Sequence, residues 1–476
     1  MYDVLVIGAG VIGALCAREL SKYKLSVCIV DRSGDAAGGA SRANSGIVHA
    51  GFDAMSGTLK AALNVKGCRM MPEVARELGV EYKNIPSLVV CLNKYDMPAL
   101  EQLYARGIAN GVRNLRIINK EELRELEPRI SDNAVAALYA GDAGIVCPYG
   151  LAIAAAENAV QNGAEYRFCY EVKSITETEG GYIVSDGREE LSARYVINAA
   201  GLHSDDIAKM TDDCDFELSA RRGEYMLFDR KVSDCVHNVL FTLPSKLGKG
   251  ILVAPTVDGN LLIGPNSHNV EKENTDTTAD GLREIHEGAL RLVPSLPGLR
   301  SVITSFAGQR PTPSTGDFII RMSEKYPHIL HLAGIESPGL AGSPAIAEYA
   351  VELLRGAGLE LCRRDDFEPH RRVNVGFRTL DDEAREALIA KNPAYGRIIC
   401  RCESVTEGEI LDAIHNPLGA TTIDGIKRRT RAGMGRCQGG FCLPKVAEIL
   451  SRELGVPLDE IKKHDGNSRL LVGRTK

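Results

Sequence analysis

The chain has 476 residues, 44% hydrophobic and 25% charged, with a net charge of −6. That length exceeds one ordinary core, so two or three domains are expected in a soluble globular protein. The acidic balance gives no basis for nucleic-acid binding, and the absence of Trp disfavours an aromatic stacking groove. The opening Met1-Tyr2-Asp3-Val4-Leu5-Val6 has neither a basic stretch nor a cleavage site, and no apolar run reaches the ~20 residues of a transmembrane helix. A cytoplasmic location is therefore expected, with any membrane contact going through a partner.

Residues 2–8 read as a buried strand, 11–22 as a helix and 25–31 as a second strand, a βαβ unit at the N-terminus. A Gly/Ser/Asn-rich loop follows at 33–46. Further strands are expected near 195–199 and 329–333, each ending in a Gly-containing turn. Shorter alternating runs at 81–92 and 216–265 suggest a separate, mainly antiparallel sheet. A helix over 342–355 ends at Arg355-Gly356-Ala357-Gly358. Residues 358–395 are charged and aperiodic and read as a linker. A compact module at 396–454 and a tail at 455–476, to which no role is assigned, complete the chain.

Gly8-Ala9-Gly10-Val11-Ile12-Gly13 fits G-x-G-x-x-G between a strand and a helix. The first Gly permits the turn, the second lets backbone approach a pyrophosphate, and the third lets helix and strand pack closely. The helix N-terminus presents unpaired N–H groups to phosphate. Asp31, at the end of the second strand, is placed to bond a ribose hydroxyl. These features together point to a dinucleotide.

Thirteen cysteines are present. Those scattered through residues 1–362 read as buried free thiols. Cys400-x-Cys402 and Cys437-x4-Cys442 form a separate group. Four thiolates can hold two irons, or one structural zinc, although zinc sites more usually show C-x2-C. Helices expected at 404–415 and 443–454 each begin after a cysteine pair and turn positive ends toward an anionic cluster. Gly433, Gly435, Gly439 and Gly440 permit close backbone approach. The basic run Lys427, Arg428, Arg429 and Arg431 offsets cluster charge, docks an acidic electron acceptor, or is a solvated helix end.

The dispersed turns Asn198-Ala199-Ala200-Gly201 and Leu332-Ala333-Gly334, with the N-terminal fingerprint, resemble the FAD-dependent amine and hydroxy-acid oxidoreductases related to D-amino-acid oxidase. The resemblance implies an α/β Rossmann-like FAD domain (1–75, 146–213 and 305–357) with an inserted antiparallel substrate domain (76–145 and 214–304), plus the small helical module. It implies non-covalent FAD, with Gly8, Gly10, Gly13, Asp31, Arg32, Ser41, Arg42, Asn44, Ser45, Val172, Ala200, Gly201, Gly334, Gly339 and Leu340 at the cofactor.

Ser41-Arg42-Ala43-Asn44-Ser45-Gly46-Ile47-Val48-His49-Ala50-Gly51 is similar to the loop of compact bacterial glycerol-3-phosphate oxidases. The likeness implies His49 as catalytic base and Ser45 as a substrate contact. Imidazole, with an unperturbed pKa near ~6.5, suits removal of a hydroxyl proton while hydride leaves for flavin. Further blocks place Lys249 and Arg310 on the family's substrate-binding cations, Arg310 also at the catalytic centre, and Ser337 on a substrate-contacting serine. Position 336 is Glu where the oxidases carry Lys, and a carboxylate beside an anionic substrate is unfavourable unless it points away. L-2-hydroxyglutarate oxidases and dehydrogenases share Asn-Ser-Gly-x-x-His-x-Gly, but Gly51-Phe52-Asp53-Ala54 fits them less well.

Residues 400–442 resemble the bacterioferritin-associated-ferredoxin-like domain, notably the version that ends the large subunit of anaerobic glycerol-3-phosphate dehydrogenases. That likeness implies a [2Fe–2S] cluster on Cys400, Cys402, Cys437 and Cys442. The expected function is FAD-dependent oxidation of glycerol 3-phosphate, with electrons leaving through the cluster to a partner flavoprotein or acceptor subunit. The alternatives are a 2-hydroxyglutarate dehydrogenase and a non-catalytic redox relay or sensor.

Overall fold

The computed structural model describes residues 1–244, 250–373 and 375–473. Among these, the strands form two large sheets, of eight and nine strands. In the first, Tyr2–Ile7 is central and pairs in parallel with Val27–Asp31 on one side and Glu190–Asn198 on the other. Glu165–Phe168 and Ile329–Ala333 extend the parallel run outward. The first strand alternates within its apolar run. Val4 and Val6 join the core shared with the helices Val11–Leu20, Pro148–Gln161 and Gly339–Gly356, whereas Leu5 and Ile7 join the core beneath the hairpin of Ser174–Thr178 and Gly181–Ser185. Both faces are covered, which is why the strand reads as continuously hydrophobic.

The second sheet joins the two segments expected to supply it. Val239–Thr242 pairs in parallel with Ser87–Cys91, and most other pairings are antiparallel. The expected domain break at 305 falls inside a strand: Val302–Pro313 runs antiparallel along Leu218–Phe228, with Arg221 opposite Arg310 and Gly223 opposite Gly308. Leu59–Leu78, a twenty-residue helix capped by Thr58, was not expected, because Gly67 and Pro72 punctuate its pattern. Gly67 is the contact point with Gly339–Gly356: a Cβ there would lie 2.4 Å from the Ala341 carbonyl oxygen.

The segment expected as a linker is anchored. Arg364 donates to the Asn162 carbonyl, and Arg371 pairs with Glu157 at 2.6 Å. It also contains the helix Asp382–Lys391, which buries no residue and therefore shows no apolar periodicity. The module packs Glu407–His415, Ile423–Thr430 and Leu443–Leu454 around Ile410, Ile426 and Leu450, and Thr406 with Glu409 closes a capping box. The tail belongs to this unit, since Ile461 is buried in the same core.

The basic run is turned inward. Asp35, in the loop after Val27–Asp31, accepts from Arg428 at 2.9 Å and from both terminal nitrogens of Arg429 at 2.7 and 2.8 Å. Arg431 pairs with Asp258 at 2.5 Å and Glu403 at 2.8 Å, and Arg230 also pairs with Glu403. These contacts join the module to both sheets, so three of the four cations serve neither as a solvated helix end nor as a partner-docking face. Their acidic partners, apart from Glu403, lie more than 150 residues earlier in the chain, which only the fold brings near.

Burial acts to raise the Asp35 carboxyl, but the hydrogen bonds and charges of Arg429 and then Arg428 outweigh it and hold it below the usual carboxylate range. A depressed folded-state pKa means that the stabilisation is present above the unfolded value near ~3.9 and is lost as pH falls through the folded value. Asp35→Asn should therefore cost roughly 3–5 kcal/mol at pH 7, because two buried guanidiniums lose their partner. The difference in denaturant midpoint between wild type and variant should shrink below about pH 4. Equal midpoints at pH 7 would show that the ion cluster does not hold the module.

Candidate active site and iron–sulfur centre

The parallel strands of the first sheet end along one edge, and the dinucleotide fingerprint lies there. Gly8 has φ +109°, and a Cβ on it would meet the Ala199 carbonyl oxygen at 2.4 Å; one on Gly13 would meet the Gly8 oxygen at 1.9 Å. Gly10 begins the helix Val11–Leu20 with no side-chain cap. Ser41 Oγ accepts the Val11 N–H at 3.0 Å, drawing the second loop onto the helix end. Asp31 accepts the Ala9 N–H at 2.6 Å and the Ser33 N–H at 2.8 Å. Burial raises its carboxyl against these bonds, and each oxygen keeps a lone pair for a ribose hydroxyl.

From this edge a cavity of about 1970 Å³ runs toward the second sheet. Gly8, Gly10, Asp31, Arg32, Ser41, Arg42, Asn44, Ser45, His49, Val172, Ala200, Gly201, Arg310, Ser337, Gly339 and Leu340 all line it. Two expected cofactor residues do not. Gly13 is spent on helix–strand packing, and Gly334, at φ +62°, forms a turn against Pro313. Lys249 lies outside the described residues. The cavity exceeds a drug-sized pocket of ~300–1,000 Å³ and has room for a dinucleotide and a small substrate. A helix N-terminus begun by Gly10, glycines at the closest approach and an acid at the second strand end fit FAD.

At the far end, His49 follows the short strand Ile47–Val48. Asn64, on the Leu59–Leu78 helix, donates to the His49 carbonyl at 2.6 Å. The imidazole lies 5.8 Å from the Phe241 ring, and its Nε2 is 3.5 Å from Ser337 Oγ. Two loops 288 residues apart thus meet at the expected base. Arg310 donates to the Asn266 carbonyl at 3.3 Å. Gly223 makes room for it, since a Cβ there would stand 2.5 Å from Arg310 Nη2.

Arg221 opens the block Arg221-Arg222-Gly223-Glu224-Tyr225, which resembles the family's substrate-domain strand but by itself gives the arginine no role. It sits directly opposite Arg310 and lines the same cavity, and neither guanidinium has an ion-pair partner among the described residues. Like charges directly opposite across a ladder are destabilising by themselves, so the pair marks a place for an anion. The strand register brings together two arginines that are 89 residues apart in the sequence.

Glu336 also lines the cavity, but its charge is compensated. Lys60 Nζ donates to one carboxylate oxygen at 2.8 Å and Thr312 Oγ1 to the other at 2.8 Å. Both Glu336 and Lys60 side chains are only 13% exposed. The departure from the oxidase pattern therefore places a neutral pair, not a free carboxylate, beside the anion site.

In the module, the four cysteines form two pairs. Cys402 and Cys437 sulfurs lie 3.6 Å apart, and Cys400 shares a thiol hydrogen bond with Cys442. That bond, helped by the N–H groups of Gly433 and Glu403 against burial, brings Cys400 down to about 6. Burial raises Cys437, but the Phe441, Gly439 and Gly440 N–H groups and the Cys402 thiol outweigh it and lower the thiol. A tetrahedral metal with ~2.3 Å bonds sets two thiolates roughly 3.8 Å apart. Among the described residues no three His, Cys, Asp or Glu side chains gather as a single ion requires. Two separate pairs ringed by N–H donors suit a cluster in which each iron takes two cysteines.

Comparison with known proteins agrees with this geometry. Residues 3–353 match the family described as FAD dependent oxidoreductase, and residues 398–452 match the BFD-like [2Fe-2S] binding domain. The chain is 47% identical over 477 residues to a glycerol 3-phosphate dehydrogenase of Caloramator mitchellensis, covering 100% of this chain and 99% of that one. The dithionite-reduced, FAD-bound L-alpha-glycerophosphate oxidase of Mycoplasma pneumoniae superposes with a TM-score of 0.74 at 34% identity, over 78% of this chain and 98% of that one. An L-2-hydroxyglutarate dehydrogenase of Nematostella vectensis is 29% identical over 56% of this chain and 62% of its own. No helix among the described residues is long and apolar enough to cross a membrane. The chain belongs to the FAD dependent oxidoreductase family, among the glycerol 3-phosphate dehydrogenases and oxidases, and carries a BFD-like [2Fe-2S] binding domain at its C-terminal end.

Proposed function

We propose that this protein oxidises sn-glycerol 3-phosphate to dihydroxyacetone phosphate and delivers the electrons to a separate acceptor protein. The observation that carries the reading is the juxtaposition, at one end of the dinucleotide cavity, of an imidazole and two guanidiniums: His49 beside Ser337, and Arg310 beside Arg221. Two planar forks suit a phosphate dianion, which each can engage bidentately. With the anion held there, His49 takes the hydroxyl proton as the carbinol C–O bond becomes C=O. Ser337 and the Asn64 bond to the His49 carbonyl keep the imidazole in place. FAD supplies the hydride acceptor when bound, and the cluster a one-electron exit. The Lys60–Glu336 pair removes the repulsion that a free carboxylate would exert on phosphate.

The module adjoins the cavity, which supports its reading as an electron exit. Met434, three residues before Cys437, lies 3.4 Å from the Tyr149 hydroxyl, and both side chains line the cavity. On the outer side Cys402 is exposed, and Phe441, 80% exposed, stands next to Cys442. We assign this outer face to a redox partner protein, through which any membrane association would also run.

Anaerobic mixing of the cluster-replete protein with sn-glycerol 3-phosphate should bleach the flavin absorbance rapidly, and L-2-hydroxyglutarate should leave it unchanged. Bleaching by the dicarboxylate alone would assign the arginine pair to a carboxylate. Bleaching by neither, with reduction by a partner protein instead, would leave a relay. His49→Asn should slow flavin reduction at least ~100-fold while substrate still binds, and a retained rate would remove His49 as the base. Arg221→Met should weaken glycerol 3-phosphate binding by about tenfold or more, with Arg221→Lys in between. An unchanged dissociation constant would place the anion on Arg310 alone.

A further inference from the structure

The dinucleotide cavity has a wall that the first 357 residues do not supply. Asp424, Lys427, Arg428 and Met434 of the module, and Lys463 and Asp465 of the C-terminal segment, line it. The contact is specific. Asp465 accepts the Gly34 N–H at 2.7 Å, in the loop that follows the ribose-facing Asp31, and Arg428 reaches Asp35 next to it. This is the stretch of cavity where Arg42 and Ser41 adjoin the N-terminus of Val11–Leu20.

In this wall Lys463 pairs with Asp424 at 3.2 Å and Arg428 with Asp35 at 2.9 Å, while Asp465 takes the Gly34 N–H. Lys427 makes no ion pair or side-chain hydrogen bond among the described residues, although it is partly buried and lines the cavity. Burial lowers its ammonium pKa; Asp424 opposes this, and Lys463, Arg428 and Arg431 add to it. Arg42 lines the same stretch with its side chain still exposed; desolvation and then Arg428 lower its guanidinium, and Asp424 and Asp465 oppose them. Of Arg42, Lys427 and Arg428, only Arg428 is paired, with Asp35. A cation partly withdrawn from water without a partner, as Lys427 is, favours a ligand of opposite sign. The dinucleotide carries its two negative charges on the diphosphate, which the adjacent helix end also attracts.

We propose that Lys427, reaching over from the iron–sulfur module, binds the FAD diphosphate together with Arg42, so that the module closes the FAD pocket. The inference rests on FAD as the occupant. It unites the basic run of the module and the C-terminal segment in retaining the cofactor. Coupling of this kind is reciprocal. FAD binding then stabilises module docking, and a displaced module releases FAD.

The test is a binding titration on full-length, cluster-replete protein stripped of flavin, with FAD uptake followed by quenching of its fluorescence. Lys427→Gln should raise the FAD dissociation constant about tenfold or more, and Lys427→Arg should stay within about threefold of wild type. Lys445→Gln, an exposed cation on another helix of the module, should have no effect. Competition by ADP, which carries the diphosphate, should weaken in Lys427→Gln, whereas competition by adenosine should not. An FAD constant within twofold of wild type in Lys427→Gln would overturn the proposal. Equal losses for ADP and adenosine would overturn it too, because they would report general damage to the pocket. A wild-type protein that takes up no FAD would instead refute the occupant.

Discussion

The site depends on the parallel pairing of Tyr2–Ile7 with Val27–Asp31 on one side and Glu190–Asn198 on the other. Because the three strands run the same way, Gly8, Asp31 and Ala199–Ala200 emerge at a single edge, and the helix Val11–Leu20 starts there with no side-chain cap from Gly10. The close approach is set by hydrogen atoms where other residues carry a Cβ. At Gly13 a methyl group would stand 1.9 Å from the Gly8 carbonyl oxygen, and at Gly8 it would meet Ala199. A side chain at either position would push the helix from the sheet and disperse the groups that hold the dinucleotide.

Around that edge the molecule handles buried charge in two ways. Where a charge serves only the architecture, it is paired inside the protein, as with Asp35 and Arg429, or Glu336 and Lys60. Where the charge lines the cavity without an ion pair among the described residues, as with Arg310, Arg221, Arg42 and Lys427, we assign it to a bound phosphate. The distinction follows from desolvation: an unpaired ion out of water is tolerated where a bound ligand supplies the counter-charge. On that assignment one cavity would hold both the diphosphate of the dinucleotide and a phosphorylated substrate.

The iron–sulfur module is accordingly part of the flavoprotein and not an appended carrier. Its cysteines are gathered by two short loops whose N–H groups point at sulfur, and its helices turn their cations onto acids of both sheets. This orientation leaves Phe441 and Cys402 on the outer face and Met434 on the cavity. Electrons gathered at the flavin end thus have the cluster-bearing unit as the adjoining wall.

What could be read from the chain alone was local: the Gly8–Gly13 fingerprint, the Asn44–His49 loop and the two cysteine pairs are short stretches whose chemistry is set by spacing of a few residues. The alternation of Val4, Leu5, Val6 and Ile7 likewise announced a strand buried on both faces. The block holding Arg221 resembled a substrate-domain strand, but the arginine's place was not legible, because a surface arginine and a cavity arginine look alike until the ladder sets one opposite Arg310. Nor was the inward turn of Lys427–Arg431, whose meaning depends on Asp35 and Asp258, remote in sequence. The helix Leu59–Leu78 was hidden by Pro72 and Gly67, which local propensity disfavours and which its packing on Gly339–Gly356 accommodates. The sequence by itself therefore determined the cofactors, since these are carried by short motifs whose residues are near neighbours in the chain. The tertiary structure alone decided which charges are paired and which face the cavity, because Coulomb interaction depends on distance through space and not along the chain.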